Sequence, residues 1–394
     1  MQTYFDNAAT SFPKPLEVID AMTQFQMTCG ASPGRGAYED ATRASALLDE
    51  CRCLLVELVN AISTDHCILT SNCTDSLNLA ICGITRHQLR SSSEVHVVTT
   101  AMDHNSVLRP LEALATEGVS HTVVQADSKT GLVNPLDIQK AITPDTKLVA
   151  VAHGSNVTGS VQDLLAIRDV IEDIPFLVDA AQTMGHTQID VQRDGIDLLA
   201  FPGHKGLLGP LGTGGLIIKP SIESIMEPIR FGGTGSASES PKQPTSLPDK
   251  YECGSHNMIG IAGLVAGLKW IAEKGVETLH AHELSLCKQF IEGCGKIKGV
   301  EIIGPQSHEQ RCGVFSLRLN ECPHEIAMLL ERENNIKTRA GLHCAPYAHQ
   351  TMGTTTCGGT VRISIGPFHS SEDIQFLLES VQQVSVSCTQ GVLV

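Results

Sequence analysis

The chain has 394 residues, 42% of them hydrophobic and 18% charged, and a formal net charge of −15. That length exceeds what one simple core organises, so two domains are expected, and the acidic balance argues against nucleic acid or an anionic membrane surface as principal partner. No stretch approaches the ~20 apolar residues of a bilayer span, and the opening "MQTYFDNAATSFPKP" lacks the basic-then-apolar order of a secretory leader. A cytoplasmic, enzyme-sized protein is the expectation.

Taken in order, "TRASALLDECRCLLVELV" (42–59) has the spacing of an amphipathic helix. Cys51 and Cys53 lie two apart on it and point in different directions, so no metal site is expected there. The fourteen cysteines are scattered rather than grouped, and they read as reduced thiols, most of them small core residues. From residue 65 to about 220, apolar runs alternate with helical stretches. Segments 94–100, 120–126, 146–153, 175–181, 196–202 and 214–220 read as strands, with helices predicted at 75–88, 106–118, 134–142 and 161–173. The strands are continuously apolar and β-branched, which predicts burial on both faces and an α/β fold with a mainly parallel sheet and helices on both sides. Residues 232–256 are rich in Gly, Ser and Pro and mark a junction. A helix at 258–275 follows, then strands "VEIIG", "GVFSLRLN" and "GTVRISIG" flanking helices "PHEIAMLLERE" and "SEDIQFLLESVQQV". The expected organisation is a large domain over 15–255 and a smaller α+β domain over 256–394, joined by the segment 1–14.

Parallel sheets bind ligands beyond the C-terminal ends of their strands. Asp179 closes "PFLVD" with Gln182 three positions on; His104, Asn156 and Lys205 each follow a strand; Thr74 and Asp75 open a helix whose free N–H groups favour a phosphate. Lys205 stands in "LLAFPGHKGLLGPLGTGGL" (198–216), otherwise apolar residues, glycines and prolines with one histidine and one threonine. A lysine in such surroundings loses its proton easily and becomes an amine nucleophile. Neither a dinucleotide fingerprint nor a P-loop occurs in usable context.

Together "YFDNAAT", "SNCTDSLNLA", "AMDH", "SNVTGS", "LVDAAQTMGH", "FPGHKGLLGPLGTG", "RAGLHCAP" and "VRISIG" resemble the successive motifs of class V aminotransferase-fold enzymes, fold type I, and most of all the cysteine desulfurases and selenocysteine lyases. The resemblance runs over about residues 4–380 and implies pyridoxal 5′-phosphate (PLP) as cofactor. It implies that Lys205 holds PLP covalently and then moves protons, that Asp179 pairs with the ring nitrogen, that His104 stacks on the ring and that Gln182 bonds its hydroxyl. Thr74 and His204 would hold the phosphate, completed by Ser255 of a second subunit in a homodimer. Arg362 would grip the substrate carboxylate, with Asn156, which also borders the cofactor, and Arg339, near the cysteine loop, as further substrate-binding residues. The glycines around Lys205 would let the backbone approach the flat ring.

Cys344 would take sulfur from L-cysteine as a persulfide, leaving L-alanine and passing the sulfur to a protein or small-thiol acceptor. His343 beside it and Arg339 are positioned in sequence to lower its pKa, and the short segment before "GTVRISIG" resembles the group II desulfurases. Selenocysteine lyase, a transaminase and a cystine C–S lyase are the alternatives. The chain departs from the family pattern at Pro202, where a serine often contacts phosphate, at Asn72-Cys73-Thr74-Asp75 in place of G-T-T-E, and at Leu342-His343 in place of two histidines.

Overall fold

Strands that are apolar on both faces need a layer of helices on each side. In the computed structural model, which describes residues 1–34 and 36–390, seven strands form such a layer. They are β1 (Cys67–Thr70), β2 (Val95–Thr100), β3 (Val119–Val124), β4 (Thr146–Ala152), β5 (Phe176–Asp179), β6 (Leu198–Pro202) and β7 (Gly214–Ile218). Their order is β1-β7-β6-β5-β4-β2-β3. All neighbours pair in parallel except β7, which runs antiparallel to β1 and β6. Six of these strands coincide with the predicted runs. The four-residue β1 is too short to show a period, and the sequence suggests only an approach to a helix there.

Alternation along the strands divides the core in two. Val98, Val149 and Val178 pack with α2 (Glu39–Leu58) and α6 (Leu164–Ile171), while the first helix α1 (Leu16–Thr28) packs against the later helix at Met258–Lys274. Val97, Leu148 and Leu177 pack with α3 (Cys73–Leu89) and α4 (Asn105–Leu114). Each fully buried aliphatic side chain removes enough apolar surface to contribute ~1.5–3 kcal/mol, so both faces are anchored. A short α5 (Pro135–Ala141) precedes β4.

After the 232–256 stretch, α7 (Met258–Lys274) follows the expected boundary at 256 in the chain. Its Met258, Ile261, Leu264 and Leu268 nevertheless join the larger core. The change of composition therefore marks a surface loop, and the change of core comes later, with α8 (Val276–Cys294). The second sheet, β8 (Glu301–Ile303), β9 (Val314–Arg318), β10 (Arg339–Gly341) and β11 (Thr360–Ser364), is antiparallel in the order β10-β11-β9-β8. It packs with α8, α9 (Pro323–Asn334) and α11 (Ser371–Gln390) around Phe290, Phe315 and Leu377, while the short α10 (Pro346–Thr351) leads away from β10.

The N-terminal segment ties the two sheets together. Phe5 N–H donates to the Lys337 carbonyl at 2.9 Å, and the Phe5 carbonyl accepts from Ser364 N–H at 2.7 Å. Ser11 N–H then donates to the His204 carbonyl at 3.0 Å, in the turn that carries Lys205.

Candidate active site

The strand-end residues converge. Thr74, His104, Asn156, Asp179, Gln182, His204 and Lys205 line one cavity, with Cys73, Ser106 and Pro202. A second, narrower chamber lies between the two sheets on the other side of Lys205 and Gln182.

Lys205 sits in a turn closed by Leu208 N–H to its own carbonyl at 2.9 Å and by Gly209 N–H to the Gly203 carbonyl at 2.8 Å. The glycines here answer to protein neighbours. A Cβ on Gly203 would lie 2.1 Å from Thr213 Oγ1, and one on Gly206 would lie 2.2 Å from the Met184 carbonyl. Close packing of the turn against β7 and the 184 segment thus suffices to require them, and approach to a flat ring is not needed. Burial lowers the Lys205 pKa; Asp179 opposes that, and the nearby Arg362 adds to it. Lys14, absent from the sequence reading, supports the turn from below, donating to Ser11 Oγ at 2.6 Å and to the His204 carbonyl at 2.8 Å. Burial lowers its pKa to about 8.

Asp179 Oδ1 accepts from Ala181 N–H at 2.9 Å and from Cys73 Sγ at 3.4 Å. His104 is the N-cap of α4, and its Nδ1 accepts from Ser106 N–H at 3.1 Å. That bond assigns the imidazole proton to Nε2, and burial keeps the ring below its ordinary pKa. Ser106 Oγ also meets His104 Nδ1 at 2.9 Å and Thr74 Oγ1 at 2.8 Å. This hydroxyl was missed; its signal was a serine two places after a helix-opening histidine. It supplies the cavity with an O–H where Pro202 supplies none. Buried His204 Nδ1 has no hydrogen-bond partner, and burial, then Lys205 and Lys14, lower its pKa to about 4. The Gln182 amide donates to the Ala8 carbonyl at 3.1 Å.

Cys344 enters from the other sheet. It is exposed, between β10 and α10, and both it and His343 have left-handed backbones, with φ +58° and +48°. Such conformations cost roughly 1–3 kcal/mol for non-glycine residues and persist only when neighbours hold them. Two bonds from the cofactor side do so: Asn105 N–H donates to the Cys344 carbonyl at 2.8 Å, and Asn156 Nδ2 donates to the His343 carbonyl at 2.6 Å.

The neighbours of the thiol differ from the expected ones. His343 is buried and its Nε2 meets the Thr360 carbonyl at 3.1 Å. Burial, then Arg362, push its pKa down to about 2. It is neutral and cannot stabilise a thiolate by charge, which corrects the expectation from sequence. Arg339 is half-exposed and held by Asp6 Oδ2 at 3.0 Å. Arg362 is the cation in electrostatic reach of both Cys344 and Lys205. It is buried, pairs with Asp6 Oδ1 at 2.7 Å, and leaves its Nε without a partner. Asp6, which orients both arginines, lies in the quoted "YFDNAAT" stretch, yet nothing local announced this pairing, because its partners lie more than 300 positions away. Ser255 is exposed and outside the cavity.

These groups suit PLP: an amine whose burial disfavours its protonated form, a carboxylate with one oxygen bonded within the wall and the other free of donors among the described residues, an imidazole that burial keeps from charging, hydroxyls at a helix start and an unpartnered histidine nitrogen. Among the described residues, no group of three or more His, Cys, Asp or Glu could hold a metal, and no helix is long and apolar enough to cross a membrane.

The family model described as Aminotransferase class-V matches residues 3–377. The chain belongs to that family. Its members depend on PLP, and the cavity is where this chain's residues would hold it. A probable cysteine desulfurase from Methanothermobacter thermautotrophicus is 35% identical over 387 residues, covering 97% of this chain and 94% of the relative. One from Pyrococcus abyssi is 33% identical over 97% of this chain and 94% of its own length. The apo structure of a cysteine desulfurase from Thermococcus onnurineus superposes with a TM-score of 0.90 at 31% identity, covering 98% of this chain and 94% of that one. The Escherichia coli cysteine desulfurase CsdA gives 0.85 at 26% identity, covering 97% and 94%.

Proposed function

We propose that the protein is a PLP-dependent cysteine desulfurase that converts L-cysteine to L-alanine and stores the sulfur on Cys344 as a persulfide. The observation carrying this reading is the Cys344 loop, bonded by Asn105 and Asn156 to the wall of the Lys205 cavity, with Arg362 in reach of both. Curated relatives named for that activity, matching nearly end to end, support it.

Bound PLP supplies an electron sink for the substrate's α-carbon, activating the β-carbon–sulfur bond. Asp179 would pair with the ring nitrogen and favour its protonated form, and His104, kept neutral by burial, would face the ring. Thr74, Ser106 and His204, with Ser255 of a second subunit, would hold the phosphate. Arg362, already oriented by Asp6, receives the substrate carboxylate. Lys205, with its lowered pKa, accepts and returns the α-proton as a free amine. The Cys344 thiolate attacks the substrate sulfur: the new S–S bond forms as the carbon–sulfur bond breaks, the electron pair stays on carbon, and a proton completes alanine. L-Cysteine and one thiol thus become alanine and one persulfide, with no external oxidant. A protein or small thiol then accepts the sulfur.

The test is Cys344→Ala, assayed for alanine release from cysteine and from selenocysteine. Loss with cysteine is expected. Retention with selenocysteine would add lyase activity, because selenium leaves without a thiol acceptor. Unchanged turnover of cysteine would sink the persulfide mechanism and favour a transaminase or a cystine C–S lyase.

A further inference from the structure

Cys73 lines the cavity, and the chemistry above gives it no role. It stands where the family pattern carries threonine, at the first position of α3, and lines the cavity beside Asp179 and Lys205. A carboxylate can turn about its terminal torsion, because sp³–sp² rotation is broad and roughly two-fold. Either oxygen of Asp179 could therefore face a ligand unless something distinguishes them. Two donors do: the Ala181 N–H at 2.9 Å and the Cys73 thiol at 3.4 Å both reach Oδ1. No described residue donates to Oδ2, and it is not among the buried atoms sealed off without a partner.

The thiol is fit to donate. Burial, and then the adjacent Asp179, raise its pKa well above the ordinary range, so it stays protonated. A protonated thiol this deep is a poor nucleophile, which separates Cys73 from the exposed Cys344.

We propose that Cys73 is a positioning residue: with the Ala181 amide it fixes Oδ1 of Asp179 and so presents Oδ2 to the ring nitrogen of PLP. This rests on the family's cofactor and is independent of the desulfurase reading.

The experiment compares wild type, Cys73→Ser, Cys73→Val and Cys73→Ala as purified holoenzymes. Dialysis gives the PLP dissociation constant, and a pH titration of the bound cofactor's visible absorption reports its protonation. Serine keeps a donor, valine keeps volume without one, and alanine keeps neither. The expected result is serine within about two-fold of wild type, with valine and alanine both releasing PLP about three- to ten-fold more readily, the range of one ordinary hydrogen bond. The valine and alanine proteins should also share a displaced absorption midpoint. Valine indistinguishable from wild type would make Cys73 a packing residue and overturn the proposal, as would serine no better than alanine. A wild type that binds no PLP would instead overturn the cofactor assignment on which the proposal stands. Melting without cofactor checks that every variant is folded.

Discussion

The two walls of the site are built in opposite ways. The wall proposed for the cofactor is made of side chains set at strand ends and helix starts around one sheet, two of them held by neighbours close in sequence: His104 by Ser106, Asp179 by Ala181. The cysteine side is a four-residue crossing, left-handed at His343 and Cys344, held by bonds to Asn105 and Asn156 across the site. A cofactor that stays in place suits fixed donors. A nucleophile that must reach a substrate and then present its sulfur suits an exposed position clamped by only a few contacts.

Removing the amine should test the rigid wall most severely. Lys205→Ala is expected to lower alanine release by on the order of 10³-fold or more, the scale of a lost proton-transfer group, and borohydride should no longer fix PLP to the chain. Appreciable residual turnover would mean that another base serves.

On the carboxylate grip the effect should be smaller. Arg362→Ala should raise KM for cysteine and lower kcat/KM by about 100-fold, as expected for a charge-assisted pair. Asp6→Asn, which leaves the guanidinium but loosens it, should lose about ten-fold. Equal losses would show that Asp6 acts through folding.

The clamp itself is tested by Asn156→Ala. Release of the His343 carbonyl should slow sulfur transfer by about ten-fold while PLP affinity falls much less. A larger loss of cofactor than of rate would assign Asn156 to the cofactor wall instead.

Acid should weaken both walls gradually. Burial holds His153 and His349 at about 4 and His343 at about 2. Folded values below the ordinary 6.5 mean that the unfolded chain binds more protons, so this stability is present above pH 6.5 and lost as pH falls through 4. Each such histidine contributes at most about 1.4 kcal/mol per pH unit in that window. His349→Gln should flatten the dependence of Tm on pH between 6.5 and 4; an unchanged slope would exclude it as a titrating group.

The cofactor side was readable in the sequence because strand ends of a parallel sheet face one place, and polar residues there stand out against apolar runs. Lys205, Asp179, His104 and Thr74 meet as that rule requires. What resisted reading depended on distance along the chain. Asp6 and Arg362 lie at opposite ends, and no local pattern announces their pairing. His343 is next to Cys344 in sequence, yet its ring turns into the core toward Thr360 and loses its charge. Adjacency in sequence is a poor guide to electrostatic partnership where the backbone turns left-handed.

The opening segment has a consequence for how such a chain is made. Phe5 pairs with Lys337 and Ser364, while Ser11 and Lys14 brace the His204 turn. A ribosome delivers these anchoring residues before it delivers β11. The earlier peptide therefore waits, unattached at that seam, for a partner made about 350 residues later, and the shape of the pocket awaits that delayed handshake.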